Sequence, residues 1–107
     1  MDIPIQNELN VIVREINALL PRAKVFLFGS YAAGIQRADS DLDLCVVTPE
    51  FPARRMEVIH SIRDAIADKT TLPIDILVFA SKEFERNSKM KPTIEYAIAQ
   101  RGVLLNG

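Results

Sequence analysis

Residues 25–47 read VFLFGSYAAGIQRADSDLDLCVV, and three features of this stretch decide the architecture. Val25-Phe26-Leu27-Phe28 is a short apolar run rich in β-formers that stops at Gly29-Ser30, so a strand delivers its end to a sharp turn and a short following helix. A polar connection through Gln36, Arg37, Ala38, Asp39 and Ser40 then leads into DLDLCVV. There Asp41 and Asp43 alternate with Leu42 and Leu44 before Val46 and Val47, the period-two pattern of a second strand.

Upstream, Ile5, Leu9, Ile12, Val13, Ile16, Leu19 and Leu20 recur at helical spacing, with Pro4 suited to a first turn and Pro21 ending the pattern. Downstream, residues 54–69 predict a second long helix whose apolar face is Val58, Ile59, Ile62, Ala65 and Ile66, with Arg55, Glu57, Arg63 and Asp64 on other faces. Residues 73–79, PIDILVF, predict a third strand with one acid near its start. Ser81 is expected to cap a short helix with Glu83 and Glu85 near its positive end. Pro92 is expected to open another that runs to about Arg101 before Gly102, leaving Val103, Leu104 and Leu105 as an apolar tail. The alternation implies an α/β (α+β) fold, a small mixed β-sheet flanked by helices in the order α-β-α-β-α-β-α.

A length of 107 residues with 49% hydrophobic content fills one core and leaves no room for a second, so residues 1–107 read as a single domain. Thirteen basic and 14 acidic residues give a net charge of −1, which removes the strong general attraction to phosphate backbones expected of a dedicated nucleic-acid binder. With Cys45 the sole cysteine, neither an internal disulfide nor a cysteine-based metal cage can form. The first ten residues lack a basic region followed by an apolar run, and no stretch approaches the roughly 18 apolar residues of a membrane span, so a cytoplasmic protein without a membrane is expected.

Residues two apart in a strand point to one side at a spacing of about 6.5 to 7 Å, so Asp41 and Asp43 should project together. Asp75, on another strand that follows a helix, would complete a group of three acids if the two strands pair. Hard oxygen ligands suit Mg²⁺, which fills its octahedron with waters and substrate phosphates. Two such ions roughly 3.5 to 4 Å apart would support an in-line displacement at phosphorus on a nucleoside triphosphate. Gly29 lets the backbone approach phosphates, and the Ser30 hydroxyl with the amides of the following turn can donate to them.

The residues at this point resemble a family. GSYAAGIQRADSDLDLCV is similar to the GS-x(3)-G-x(5)-SD-x-DL-x-V signature of the DNA polymerase beta-like nucleotidyltransferase superfamily, with Gly29, Ser30, Gly34, Ser40, Asp41 and Asp43 on its motif positions. Asp75 within LPIDILVF is similar to the superfamily's third acid, which implies that Asp41, Asp43 and Asp75 are catalytic metal ligands and that Gly29, Ser30, Gly34 and Ser40 bind the nucleotide. The length and the ending IEYAIAQRGVLL most resemble the minimal nucleotidyltransferases paired with HEPN proteins in toxin–antitoxin modules. That resemblance implies transfer of AMP from ATP, with Mg²⁺, to a tyrosine of a HEPN ribonuclease toxin, as an antitoxin acting in a complex with that toxin or as a homo-oligomer. One departure is Ala33, where relatives often carry a basic residue before the second glycine.

Two other functions stay open at this level: an antitoxin that only binds its toxin, motivated by the apolar tail, and an enzyme acting on a small molecule or an RNA end. Individual residues also keep bland readings. His60 falls among polar positions of its helix and reads as a surface residue. Cys45 is expected to turn away from the acids as a core thiol. Tyr31 either touches the nucleotide or lies over the core, Tyr96 reads as packing or interface, and Arg37 stays unassigned.

Overall fold

The computed structural model describes residues 5–49, 51 and 54–106, so the expected role of Pro4 lies outside the described residues. The three strands expected from the alternation are present as β1 (Lys24–Phe28), β2 (Leu42–Thr48) and β3 (Ile74–Ala80). A two-residue strand, β4 (Val103–Leu104), joins them in one mixed sheet ordered β3-β2-β1-β4. β1 runs antiparallel to both β2 and β4, whereas β2 and β3 are parallel. A parallel pair needs a crossover, and α3 (Arg55–Ile66) supplies it.

One face of the sheet is fully covered. Val25, Leu27, Leu42, Leu44, Val46, Ile76 and Val78 lie under α1 (Gln6–Leu19) and α3, whose stripes Leu9, Ile12, Ile16 and Val58, Ile62, Ile66 are buried. Each such side chain contributes about 1.5–3 kcal/mol when removed from water, so this layer supplies most of the folding drive. Leu20 is also buried, but Leu19 is 44% exposed and falls outside the apolar stripe its spacing suggests. α3 likewise stops at Ile66, where the Lys69 amide returns to the Ile66 carbonyl at 3.0 Å and closes a turn.

The opposite face carries Phe26 and Phe28 of β1, Asp43, Cys45 and Val47 of β2, and Asp75, Leu77 and Phe79 of β3. α4 (Ser81–Asn87) and α5 (Ile94–Arg101) cover it through Phe84 and Ile98, and the Phe26 and Phe84 rings stack at 5.6 Å. Ser81 is the first residue of α4 rather than its cap, and no side chain caps that helix. α5 starts at Ile94, two residues beyond Pro92, because Thr93 Oγ1 accepts from the Tyr96 amide at 3.1 Å.

The expected apolar tail is part of the sheet. Leu105 donates its amide to the Val25 carbonyl at 2.8 Å, and Val103 and Leu105 pack on the main core. Asn106 then closes the edge: its Oδ1 accepts from the Val25 amide at 2.8 Å, and its Nδ2 donates to Asn17 Oδ1 and the Ala23 carbonyl. Among the described residues no helix is long and apolar enough to cross a membrane.

Candidate active site

The sheet register brings two of the expected acids side by side. Asp43 of β2 is paired with Asp75 of parallel β3 on one flank and with Phe28 of antiparallel β1 on the other. Register partners point to the same face, about 4.8 Å apart from strand to strand, so the two carboxylates share the face covered by α4 and α5. Asp41 is exposed and precedes the first residue of β2. It lies near enough for its charge to act on Asp43.

Phe28 ends β1, and the chain turns at Gly29 into α2 (Gly29–Ala33). Gly29 has φ +73°, and a Cβ there would collide with the Asp43 carboxylate. Glycine is therefore required twice, for the backbone angle and for the approach to the acid. At the other end of α2, Gly34 has φ +74°, the Ile35 amide donates to the Ser30 carbonyl at 3.0 Å and the Gly34 amide to Tyr31, a Schellman ending. Two positive-φ glycines thus fold a tight loop around Ser30, whose hydroxyl makes no hydrogen bond among the described residues. Ser40 Oγ accepts from the Arg37 amide at 2.7 Å, so its hydroxyl shapes the turn that leads into Asp41.

Burial, followed by the charges of Asp75 and then Asp41, raises the pKa of Asp43 above the ordinary carboxylate value. The ion pairs among the described residues join Arg55 to Glu83 and Lys69 to Glu15 and Asp68, and none reaches Asp41, Asp43 or Asp75. Among the described residues no ion pair neutralises the negative charge gathered at this end of the sheet. Among the described residues no three His, Cys, Asp or Glu side chains converge as a ready-made metal cage. The donor set fits a hard divalent cation nonetheless, since Mg²⁺ is commonly held by one or two carboxylates with water and substrate phosphates.

The structure corrects the expected direction of Cys45. It lies two residues from Asp43 and so on the same face, inside the small cluster with Val47, Phe84 and Ile98. The core-thiol reading holds: burial, and secondarily the charge of Glu95, pushes its pKa up to about 12. Tyr31 packs in the main core, His60 and Arg37 are exposed, and Tyr96 is half-buried. Asp75 is exposed and takes part in no ion pair among the described residues.

Two features went unread in the sequence. Glu95 is buried in α5, with its Oε2 accepting from Asn87 Nδ2 at 2.7 Å. Beside it, a cleft of about 450 Å³ opens between α2 and α5 and shares Phe28 and Gly29 with the turn. Its α5 wall is Ile94, Ala97, Ile98 and Arg101, an i, i+3, i+4, i+7 stripe that was legible as one helix face. A smaller hollow of about 220 Å³ lies at the other end of β2, beside Thr48 and Phe51, away from the acids.

The family model described as a nucleotidyltransferase domain matches residues 9–104. No curated protein matches the chain. Among solved structures, a candidate nucleotidyltransferase from Sulfolobus solfataricus is similar at 20% identity and TM-score 0.59, over 94% of this chain and 78% of that one. A toxin–antitoxin crystallised with AMP-PNP aligns at 18% identity and TM-score 0.55, over 96% of this chain and 73% of that one. A mutant of the toxin–antitoxin MntA–HpeT aligns at 18% identity and TM-score 0.57, over 92% and 72% of the two chains. At these identities the structural likeness speaks for the fold.

Proposed function

Because the chain belongs to the nucleotidyltransferase domain family, we propose that it transfers AMP from ATP to a hydroxyl of a toxin protein, with Asp41, Asp43 and Asp75 at the reacting phosphate. The observation that carries this reading is the position of Asp43, which faces the Gly29 turn on one side and Asp75 on the other and enters no ion pair among the described residues.

The residues divide the work by place. The amides of the turn and the free hydroxyl of Ser30 hold the outer phosphates, next to a glycine that admits them to the acid. Asp41 and Asp43 would hold a hard divalent cation such as Mg²⁺, and Asp75 would complete the set of carboxylates. A divalent cation held by these carboxylates would supply positive charge to offset that of the phosphates and the attacking oxygen. The acceptor oxygen forms a bond to the α-phosphorus, the bond to the bridging oxygen breaks, and pyrophosphate leaves with that electron pair. The acceptor proton passes to a carboxylate or to solvent.

The acceptor in this reading is a hydroxyl of a separate protein. A toxin partner is supported by the solved structures of toxin–antitoxins with this fold, and its HEPN type by the resemblance of the chain's length and its ending IEYAIAQRGVLL. Adenine as the base is supported by the AMP-PNP present in one of them. The binding-only alternative loses part of its motive, because Val103 and Leu105 pack on the core while Leu104 stays exposed on β4.

Incubation with radiolabelled ATP, Mg²⁺ and the candidate toxin tests the reading. Wild type should label the toxin, and Asp43→Asn should not. Equal labelling by both, or labelling of an RNA end or small molecule instead, sinks it.

A further inference from the structure

At the end of the sheet opposite the acids, two hollows meet. The one of about 220 Å³ beside Thr48 and Phe51 shares Arg22 and Pro49 with a second of about 380 Å³, which lies against Phe26, Val47 and Phe84. Together they make one groove that runs from the turn between α1 and β1 to α4. We propose that this groove docks an acidic segment of the acceptor protein, with an apolar side chain of the segment seated on Phe26 and Phe84 and its carboxylates against Arg22 and Lys24. The identity of that protein rests on the transfer reading above, and the groove is the surface that holds it.

The rim asks for negative charge. Arg22 and Lys24 are exposed and enter no ion pair among the described residues. Glu85, the acid of the same rim, is joined to neither of them by an ion pair. The complement is a segment with carboxylates at the two cations and none opposite Glu85, where like charge would be repelled and so sets the register.

The floor supplies an anchor. The Phe26 and Phe84 rings stack at 5.6 Å, and Leu19, 44% exposed, edges the smaller hollow. An apolar side chain laid on such a surface gains roughly 25 cal/mol for each Å² removed from water. Pro21 and Pro49 hold the backbone of the rim at a fixed φ, so docking has little rim to order.

Position fits a docking role. Val47 lies on β2 four residues from Asp43 and on the same face, about 13 Å away at the rise of a strand. A segment held there leaves the Gly29 turn and the acids uncovered. It also keeps the rest of its protein beside them, which raises the local concentration of the acceptor hydroxyl.

The test reverses the charge of the rim. Arg22→Glu with Lys24→Glu changes two exposed positions, and Arg14→Glu with Lys91→Glu makes the same change of net charge on exposed residues that line neither hollow. Wild type and both variants are assayed for transfer of labelled AMP across a range of candidate-toxin concentrations. The groove variant should need roughly 10- to 100-fold more toxin for half-maximal rate and reach the wild-type rate at saturation, while the control variant should match wild type. A carbodiimide, which joins an amine directly to a carboxylate, should cross-link Lys24 of the wild-type protein to an aspartate or glutamate of the toxin.

An unchanged half-maximal concentration in the groove variant overturns the proposal, and so does an equal rise in the control. Cross-links to the toxin that bypass Lys24 also overturn it, as does a Lys24 cross-link to a second copy of this chain, which gives the groove to self-association. A Lys24 cross-link to the toxin without any transfer of AMP supports the docking surface and brings down the transfer reading instead.

Discussion

A β-carbon on Gly29 would occupy the space of the Asp43 carboxylate, so the turn after β1 and the central acid fit together only because residue 29 has no side chain. Gly34 has nearly the same φ, +74° against +73°, but a β-carbon there meets nothing within 4 Å. The two positions therefore separate backbone strain from collision. Gly34→Ala should lower stability by roughly 1 kcal/mol through strain alone and leave transfer nearly intact. Gly29→Ala should lower stability further, by about 2–3 kcal/mol, and abolish transfer by displacing Asp43. Equal effects of the two substitutions, in denaturant titrations and labelled-ATP assays, would contradict the fit.

Asp43 should weaken the fold it serves. Its folded-state pKa is raised by burial and by Asp75 and Asp41, so the charged form is the less favourable one in the native protein. For a raised carboxyl, the stabilising contribution is fully present below the unfolded value and disappears as pH rises through the folded value. Asp43→Asn should then have a higher Tm than wild type near neutral pH, with the gap closing as pH falls below the ordinary value of 3.8. Solvent screening keeps the gap small. Melts across pH without divalent cation check this, and a lower Tm for the variant at neutral pH would refute it.

Cys45 should resist thiol reagents in the native protein. Its pKa is pushed up to about 12, and the side chain is buried beneath Phe84 and Ile98. Iodoacetamide at mildly alkaline pH should label it only after denaturation, as mass spectrometry would show. Full labelling of the folded protein within minutes would be incompatible with this packing.

Asn106 should matter more than an exposed polar residue usually does. Its amide joins β1, α1 and the connection between them through Val25, Asn17 and Ala23. Asn106→Ala leaves the Val25 amide without that acceptor and should destabilise by roughly 1–3 kcal/mol. The urea midpoint should fall with an unchanged slope, whereas a midpoint within error of wild type would show that solvent replaces the clasp.

The local motif was the most readable part of the chain. Gly29 next to a strand, and Asp43 alternating with buried leucines, foretell the turn and the acid because the causes lie within a few residues. Asp75 was legible as an acid in an apolar run, but its neighbour across the sheet depends on a parallel register that no local pattern fixes. The same limit explains β4, where Val103 and Leu104 pair with a strand about 80 residues earlier and so read as a loose tail. Cys45 was misdirected by an error of parity, since 43 and 45 share a face. Glu95 stayed hidden because its burial depends on Asn87, which lies on a different helix.

The two faces of the sheet differ in depth. α1 and α3 bury a long list of side chains on one, while the apolar cluster under α4 and α5 on the other is centred on just Cys45, Val47, Phe84 and Ile98 among the described residues. Local opening follows the density of buried apolar contact, so amides of the thinner layer should exchange with deuterium first. That layer also forms one wall of the cleft and covers the face bearing Asp43 and Asp75. The molecule can loosen around the end that bears Asp43 and Asp75 while its opposite layer keeps the strands aligned, so local opening there need not cost the domain its register.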